Sequence, residues 1–85
     1  MEARYTVSLT KRAERERRKL PDDIQDRIEE SLKKLAEEPR PPGCRKLQHS
    51  NEWRIRVGEY RIRYEIDDEN RLITVTRIAH RREVY

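Results

Sequence analysis

Between Trp53 and Ile66, arginines alternate with apolar residues on both sides of a Gly58-Glu59 pair. Successive side chains of a β-strand point to opposite faces, so this alternation gives each strand one apolar face and one basic face. Glycine readily adopts the backbone angles of a two-residue hairpin turn. The stretch therefore predicts an antiparallel hairpin. One of its faces can join a core, and the other presents guanidinium groups, which suit phosphate.

The length of the chain predicts a single domain over residues 1–85. Of these 85 residues, 33% are hydrophobic and 45% are charged, and none is Phe, so the core must be thin. A domain this small buries roughly 60% of its unfolded surface. Clear apolar periodicity argues against disorder despite the high charge. We expect a partner that covers part of the surface to add stability.

The single cysteine, Cys44, excludes an internal disulfide and most zinc sites, and it fits a reducing cytoplasm. No apolar run approaches the roughly 20 residues that span a bilayer, and no signal-peptide pattern opens the chain. The sequence also contains no glycine-rich phosphate loop and no Ser-His-acid pattern. We therefore expect a cytoplasmic protein with no membrane partner, no cofactor and no metal ion.

Two helices are predicted ahead of the hairpin. Thr10 is suited to cap the first, over Lys11 to Leu20, although its apolar stripe is sparse. Pro21 suits the first turn of the second helix, which should end before Pro39. The second helix has the stronger apolar stripe, formed by Ile24, Ile28, Leu32, Leu35 and Ala36.

Three strand segments complete the predicted sheet. Arg4 to Leu9 alternates polar and apolar residues, and Arg45 to Gln48 is a short strand or strand entry. Arg71 to Ala79 is apolar on both faces, with Val75 and Ile78 on opposite faces, so it should be central. The predicted fold class is α+β, with two N-terminal-half helices packed on a small, mainly antiparallel sheet. The predicted order of elements is β-α-α-β-β-β-β.

Two motifs resemble the RelE/ParE superfamily of bacterial and archaeal toxins. They are Trp-Arg-Ile-Arg-Val-Gly-Glu-Tyr-Arg-Ile-Arg-Tyr-Glu-Ile and the closing Ala-His-Arg-Arg-Glu-Val-Tyr. The connector Pro-Arg-Pro-Pro-Gly-Cys-Arg-Lys-Leu and both helices fit as well, so the resemblance covers essentially the whole chain. It implies a RelE-like fold and a type II toxin, held inactive by a cognate antitoxin in a toxin–antitoxin hetero-oligomer.

Within that superfamily, the RelE branch cleaves messenger RNA in the ribosomal A site, and this sequence matches that branch better. The resemblance implies catalytic roles for Arg61, Arg81 and Tyr85, with His80 at a position that is often lysine. Arg61 follows Glu-Tyr, where relatives have Gly-Tyr or Asp-Tyr. The ribosome and messenger RNA are then partners. The candidate RNA-binding residues are Arg54, Arg56, Arg63, Arg45, Lys46 and Arg82.

RNA cleavage by a 2′-hydroxyl needs a proton acceptor, cations that stabilise the pentacoordinate phosphate and support for the leaving 5′-oxygen. Arginine stays protonated in proteins and cannot be the base, but its donors match phosphate oxygens. We expect Arg61 to stabilise the phosphate and Arg81 the leaving oxygen. The base is either Tyr85 or His80. Neighbouring arginines favour the phenolate form of Tyr85, and His80 can exchange a proton near neutral pH. With Tyr85 as base, His80 donates a proton or contacts phosphate.

Two other functions stay open at this point. A ParE-like inhibitor of DNA gyrase would tolerate Arg61→Ala and Tyr85→Phe and would block supercoiling. A catalytically inactive homologue would bind antitoxin or RNA with a salt-dependent affinity and cut nothing. The presence of Arg61, Arg81 and Tyr85 together favours the nuclease.

Overall fold

The computed structural model describes residues 4–84. The elements are β1 (Thr6–Leu9), α1 (Lys11–Arg18), α2 (Asp22–Glu37), β2 (Arg45–Lys46), β3 (Glu52–Val57), β4 (Tyr60–Asp67), β5 (Leu72–His80) and α3 (Arg81–Val84). This order confirms the predicted α+β arrangement of strand, two helices and four strands. The short helix α3 was not predicted.

The five strands form one mixed sheet in the order β1-β5-β4-β3-β2. β1 runs parallel to β5, and the other neighbouring pairs are antiparallel. Two parallel strands need a long crossover, which α1, α2 and the β2–β4 segment provide. β5 therefore lies inside the sheet, as predicted.

The hydrophobic core lies between the two long helices and one face of the sheet. Tyr64 is fully buried there, and its hydroxyl donates to the Pro39 carbonyl oxygen at 2.8 Å. Since the core takes every second residue of β3 and β4, the opposite sheet face is left to polar side chains. The core cluster comprises Ala13, Ile28, Leu32, Leu35, Ile55, Val57, Ile62, Tyr64, Ile73, Val75 and Ile78.

Both long helices begin and end close to the predicted residues. The Thr10 hydroxyl accepts a hydrogen bond from the Ala13 N–H at 3.1 Å, which caps α1. α2 begins directly after Pro21 and stops short of Pro39. None of the described helices has the length and apolar character that a membrane crossing requires.

A β-bulge interrupts the alternation of β5. Two consecutive residues of β4 pair with Arg77 and Val75, which leaves Thr76 as an extra residue. Ile78 is thereby returned to the core face beside Val75. The sequence prediction that these two residues lie on opposite faces was wrong, because strict alternation holds only where strand pairing is uninterrupted.

Glu16 of α1 provides hydrogen-bond acceptors for the part of β5 that lies beyond its pairing with β1. Its carboxylate accepts hydrogen bonds from the Ile78 N–H at 2.8 Å and from Arg77 Nε at 2.9 Å. Arg12 Nε lies 3.6 Å from the same carboxylate. These contacts fix the last part of β5, from which the basic C-terminal segment departs.

The Gly58-Glu59 loop joins β3 to β4, as predicted. Gly58 has a φ of +60°, and Glu59 is not among the residues of positive φ. Positive φ at the first loop position alone is the pattern of a type II′ turn, which favours glycine there. The turn brings the C-terminal ends of β3 and β5 to the same end of the sheet.

Candidate nucleic-acid interface

The sheet face that points away from α1 and α2 carries a concentrated positive charge. Arg45 pairs with Arg54 across β2 and β3, and Arg54 pairs with Arg63 across β3 and β4. Arg56 pairs with Arg61 in the next row. Directly opposed residues share a face, with Cβ atoms about 5 Å apart. We call these five residues the arginine face.

Arg63 is neutralised by a carboxylate within the arginine face. Its Nε and Nη2 lie 2.7 Å and 2.6 Å from Glu52 Oε1. The other oxygen of Glu52 accepts from the Thr76 hydroxyl at 2.9 Å. Arg63 therefore attracts an anion less than its position suggests. Sequence reasoning missed Glu52, since only the strand pairing shows that it lies diagonally across from Arg63.

Arg61 lies near α3 at the end of the arginine face. It is 9% exposed and is the only buried charged residue in the described part of the chain. Its Nη1 donates to the Arg81 carbonyl oxygen at 3.2 Å. A charged donor in a site of low dielectric interacts more strongly with phosphate than one in open water. The fold thus brings together the two predicted catalytic arginines.

Arg81 is bound twice to the tip of the hairpin. Its N–H donates to the Glu59 carbonyl oxygen at 2.9 Å, and its Nε lies 3.0 Å from Glu59 Oε1. The Arg81 side chain is still 48% exposed, so it remains accessible to a ligand. Glu59 therefore holds Arg81 beside Arg61. In the sequence Glu59 is recognisable only as a turn residue.

His80 lies on the helix side of the sheet, opposite to Arg61. It pairs with Tyr60, whose ring meets the imidazole edge-on with centroids 5.6 Å apart. Its Nδ1 accepts a hydrogen bond from the Arg82 N–H at 3.3 Å. The imidazole therefore caps the start of α3, and the sheet separates it from the arginine face.

The remaining predicted site residues are spread over different surfaces. Lys46 pairs with Trp53 on the helix side, and its Nζ donates to the Ser50 carbonyl oxygen at 2.6 Å. Arg82 is exposed on α3. Tyr85 lies outside the described residues. The structure therefore places five arginines on one sheet face and connects Arg81 to that face through Arg61; the five are Arg45, Arg54, Arg56, Arg61 and Arg63.

The Trp53 side chain lies on the helix side of the sheet, where it contacts Arg40, and not on the arginine face. The Arg40 guanidinium lies 5.1 Å from the centre of the Trp53 ring, a cation–π distance. Arg40 also donates to Asp68, at 2.9 Å and 3.3 Å to the two carboxylate oxygens. The indole thus belongs to the packing of this connector.

The described site supplies fixed cations and little acid–base chemistry of its own. Arginine donors match the geometry of phosphate oxygens, so the arrangement suits a polyanion that runs along the sheet. No cluster of three or more His, Cys, Asp or Glu side chains within the described residues has the arrangement of a metal site. The geometry therefore points to phosphate binding and charge stabilisation.

Known proteins resemble this chain along nearly its whole length. Residues 7–85 match the family profile described as the ParE toxin of type II toxin-antitoxin system, parDE. Toxin RelG of Mycobacterium tuberculosis is 34% identical over 83 residues, which covers 95% of each protein. The residues matched by the family profile include both the hairpin and the basic C-terminal segment.

Two solved toxin–antitoxin complexes contain a chain with this fold. The RelBE2 complex from Mycobacterium tuberculosis matches with a TM-score of 0.82 at 32% identity, over 91% of this chain and 98% of that chain. The archaeal RelE–RelB complex from Pyrococcus horikoshii matches with a TM-score of 0.83, over 99% and 100% of the two chains. Its 24% identity shows a shared fold alone.

Proposed function

Because this chain belongs to the ParE toxin family of type II toxin–antitoxin systems, within the RelE/ParE superfamily, we propose that it is a RelE-type, ribosome-dependent messenger-RNA endonuclease. One observation carries the proposal: Arg61 Nη1 donates to the Arg81 carbonyl oxygen at 3.2 Å, so two candidate catalytic arginines meet beside a row of further arginines. Such a cluster suits a phosphate whose charge changes during reaction.

In the proposed reaction, the 2′-hydroxyl of one nucleotide attacks the neighbouring phosphate. The new bond closes a 2′,3′-cyclic phosphate, and the bond to the 5′-oxygen of the next nucleotide breaks. Arg61 donates to the non-bridging oxygens as negative charge develops on them. Arg81 stabilises the leaving 5′-oxygen, and Tyr85 takes the proton from the attacking hydroxyl.

We assign His80 a positioning role in place of proton transfer. Its ring lies on the helix side of the sheet and accepts a hydrogen bond from the Arg82 N–H. That bond orients the first turn of α3, which starts at Arg81. His80 thus supports the site through the backbone, without contact with the RNA.

The ribosome has a defined part in this proposal. A site of arginines with a phenol as its base depends strongly on how the reacting groups are aligned. The A site of the ribosome holds a codon in one fixed geometry, which the arginine face can then bind. Free RNA samples many geometries, so we expect it to be cut poorly.

We also propose that a cognate antitoxin binds this chain in the cytoplasm and forms a hetero-oligomer with it. The similar chains from Mycobacterium tuberculosis and Pyrococcus horikoshii were solved in complex with antitoxins. The net charge of +4 and the arginine face favour an antitoxin with acidic segments. An acidic antitoxin segment bound to the arginine face would neutralise its charge and exclude RNA from that surface.

The test is primer extension on a translated messenger RNA in a purified translation system, with and without ribosomes. We expect cuts within A-site codons that require ribosomes. Arg61→Ala should slow cleavage by about 100-fold or more, as for loss of one transition-state donor. Tyr85→Phe should also slow it. Arg15→Ala is the matched control, because it removes one exposed arginine from α1 on the other side of the sheet.

Absence of cuts with folded protein would contradict the nuclease. The family profile bears the ParE description, so gyrase inhibition is the next candidate. A supercoiling assay with the same variants decides between that function and an inactive binding protein. Inhibition that survives both Arg61→Ala and Tyr85→Phe would establish the gyrase function.

A further inference from the structure

A cleft of about 500 Å³ opens at the edge of the sheet, next to the arginine face. β2 pairs only with Trp53 and Arg54, whereas β3 continues to Val57. Beyond the first residue of β2, Arg45, the edge of β3 forms one wall of the cleft, and α2 with the following loop forms the other. Its lining includes Ser31, Lys34, Leu35, Pro41, Pro42, Gly43, Arg45, Arg54, Ile55 and Arg56.

The charge of this cleft has one sign. Four of its lining residues are cationic, namely Lys34, Arg45, Arg54 and Arg56, and none of the described residues that line it is acidic. Concave surfaces lined by charge of one sign concentrate the field and attract the opposite ion. No carboxylate like Glu52, which neutralises Arg63 on the arginine face, is found among the described residues of this lining. The cleft therefore selects an anionic ligand.

The walls suit a ligand with an apolar part as well as an anionic one. Leu35 and Ile55 contribute apolar surface between the cations. Pro41 and Pro42 restrict the loop that forms the rim, because each fixes its own φ angle. A volume of this size lies within the range of small-ligand pockets, roughly 300–1,000 Å³. A nucleotide combines a phosphate with a flat apolar base and fits this description.

The cleft is continuous with the site of the proposed function. Arg56 lines the cleft and is the cross-strand partner of Arg61. Their Cβ atoms are therefore about 5 Å apart. A strand of RNA whose phosphate lies at Arg61 can place its next nucleotide in the cleft without leaving the protein surface.

We propose that this cleft binds one nucleotide of the RNA beside the cut, with Lys34 and Arg45 holding its phosphate and Leu35 and Ile55 contacting its base or sugar. The inference rests on the proposed function for the position of the cut. It adds α2 to the RNA-binding surface, through Lys34 and Ser31. Neither residue belongs to the arginine-rich hairpin or to the basic C-terminal segment.

The experiment compares Lys34→Gln with Lys33→Gln. Both lysines are exposed neighbours on α2, and both changes remove one charge from a helix-compatible position. Lys33 lines a different groove, with Val7, Leu9 and Leu32. The probe is a short, fluorescently labelled single-stranded RNA with 2′-O-methyl groups, which has no attacking hydroxyl. Its affinity is measured by anisotropy over a range of salt concentrations.

We expect Lys34→Gln to weaken binding for every probe sequence and to lower the slope of log affinity against log salt by about 0.7, the loss of one phosphate contact on a single strand. Lys33→Gln should leave the slope unchanged. Circular dichroism confirms that both variants are folded. Equal slopes for the two variants would overturn the proposal.

Two further outcomes separate this inference from the proposed function. Binding that depends on Lys34 in a protein that never cuts messenger RNA supports the cleft and contradicts the nuclease. Normal RNA binding by Lys34→Gln, together with weakened binding of a poly-glutamate peptide, overturns the inference. The cleft would then belong to an acidic protein segment, whatever the protein cleaves.

Discussion

Asp68 connects three segments that are distant in the sequence. It accepts two hydrogen bonds from Arg40 and one from the Tyr5 hydroxyl at 2.6 Å. These donors stabilise the charged carboxylate and therefore hold the pKa of Asp68 below its usual value. The Arg40 guanidinium has the larger effect and the Tyr5 hydroxyl the smaller one. A single exposed side chain thereby joins the residue before β1, the connector after α2 and the turn after β4.

We expect Asp68→Asn to lower the melting temperature at neutral pH, and the size of that effect to shrink as the pH falls below about 3.9. Because the pKa of Asp68 is lowered on folding, its contribution is fully present above the unfolded pKa of about 3.9 and is lost as the pH falls through the folded value. Thermal melts between about pH 7 and pH 3 measure this. Glu69→Gln, a change at the exposed neighbour, is the control. The same pH response in both variants would contradict the assignment.

Glu59 is expected to matter for activity far more than for stability. Its ion pair with Arg81 is exposed, with 63% and 48% of the two side chains accessible, and such pairs contribute about 1 kcal/mol or less. Under the proposed function, Glu59→Gln frees the Arg81 side chain and should slow cleavage by about tenfold or more, since small misplacements of catalytic groups are costly.

The Glu59→Gln prediction is checked by primer extension beside urea unfolding. Glu65→Gln removes an exposed acid from β4 and serves as the control. A large loss of stability in Glu59→Gln, with the activity lost in proportion, would mean that Glu59 supports the fold alone.

At the scale of elements, the end of β5 depends on α1. Glu16 accepts hydrogen bonds from the Ile78 N–H and from Arg77, at the edge that β1 no longer covers. We expect Glu16→Ala to lower the free energy of unfolding by about 1–3 kcal/mol, because it leaves a partly buried N–H and a guanidinium without their acceptor. Glu16→Gln keeps an acceptor for the N–H and should lose less.

Urea unfolding measures that difference, and hydrogen exchange of the Ile78 amide locates it. Faster exchange at Ile78 in Glu16→Ala, with slow exchange retained at Val75, would place the effect at this edge. An unchanged Ile78 amide would show that α1 does not close β5 in solution.

Most elements could be predicted from the sequence because their signals are local. The Gly58 turn, the Thr10 cap and the helix stop before Pro39 each depend on a few adjacent residues. The bulge at Thr76 depends on how β5 pairs with β4, which no local pattern records. The face of Ile78 could therefore not be predicted.

The candidate site could be predicted from the sequence to a similar extent. Alternation placed Arg54, Arg56 and Arg61 on one face, as the strand pairing shows. The burial of Arg61 and its bond to the Arg81 carbonyl depend on α3, which is too short for a periodic signal. The position of His80 on the helix side follows from its pairing with Tyr60. Tertiary pairing, which local patterns do not contain, decides these features.

At the scale of the whole molecule, charge layout matters more than net charge. The chain carries 21 basic and 17 acidic residues, yet the arginine face holds five arginines on one side of the sheet. α1, on the other side, is also basic, but Glu14 accepts hydrogen bonds from Arg17 and Arg18. We therefore expect the two basic surfaces to contribute unequally to RNA binding.

Two variants with the same net charge test this layout. Arg56→Gln should lower the salt dependence of single-stranded RNA binding by about 0.7 in slope, as for one lost phosphate contact. Arg15→Gln, on α1, should change the slope little. Anisotropy titrations at several salt concentrations measure both variants. Equal effects would indicate that net charge alone attracts the RNA.

The parallel pairing of β1 with β5 has a consequence for how the chain folds as it is synthesised. Residues 6–9 pair with residues 72–75, so the first strand made must wait for the last one. β4 likewise lacks one neighbour until β5 exists. Contacts between distant segments form slowly, and a chain without them remains open. Until β5 and α3 are made, the sheet therefore lacks an interior strand, and Arg61 lacks the Arg81 carbonyl oxygen as an acceptor. Under the proposed function, a nascent chain does not cut the messenger RNA on its own ribosome until synthesis is nearly finished.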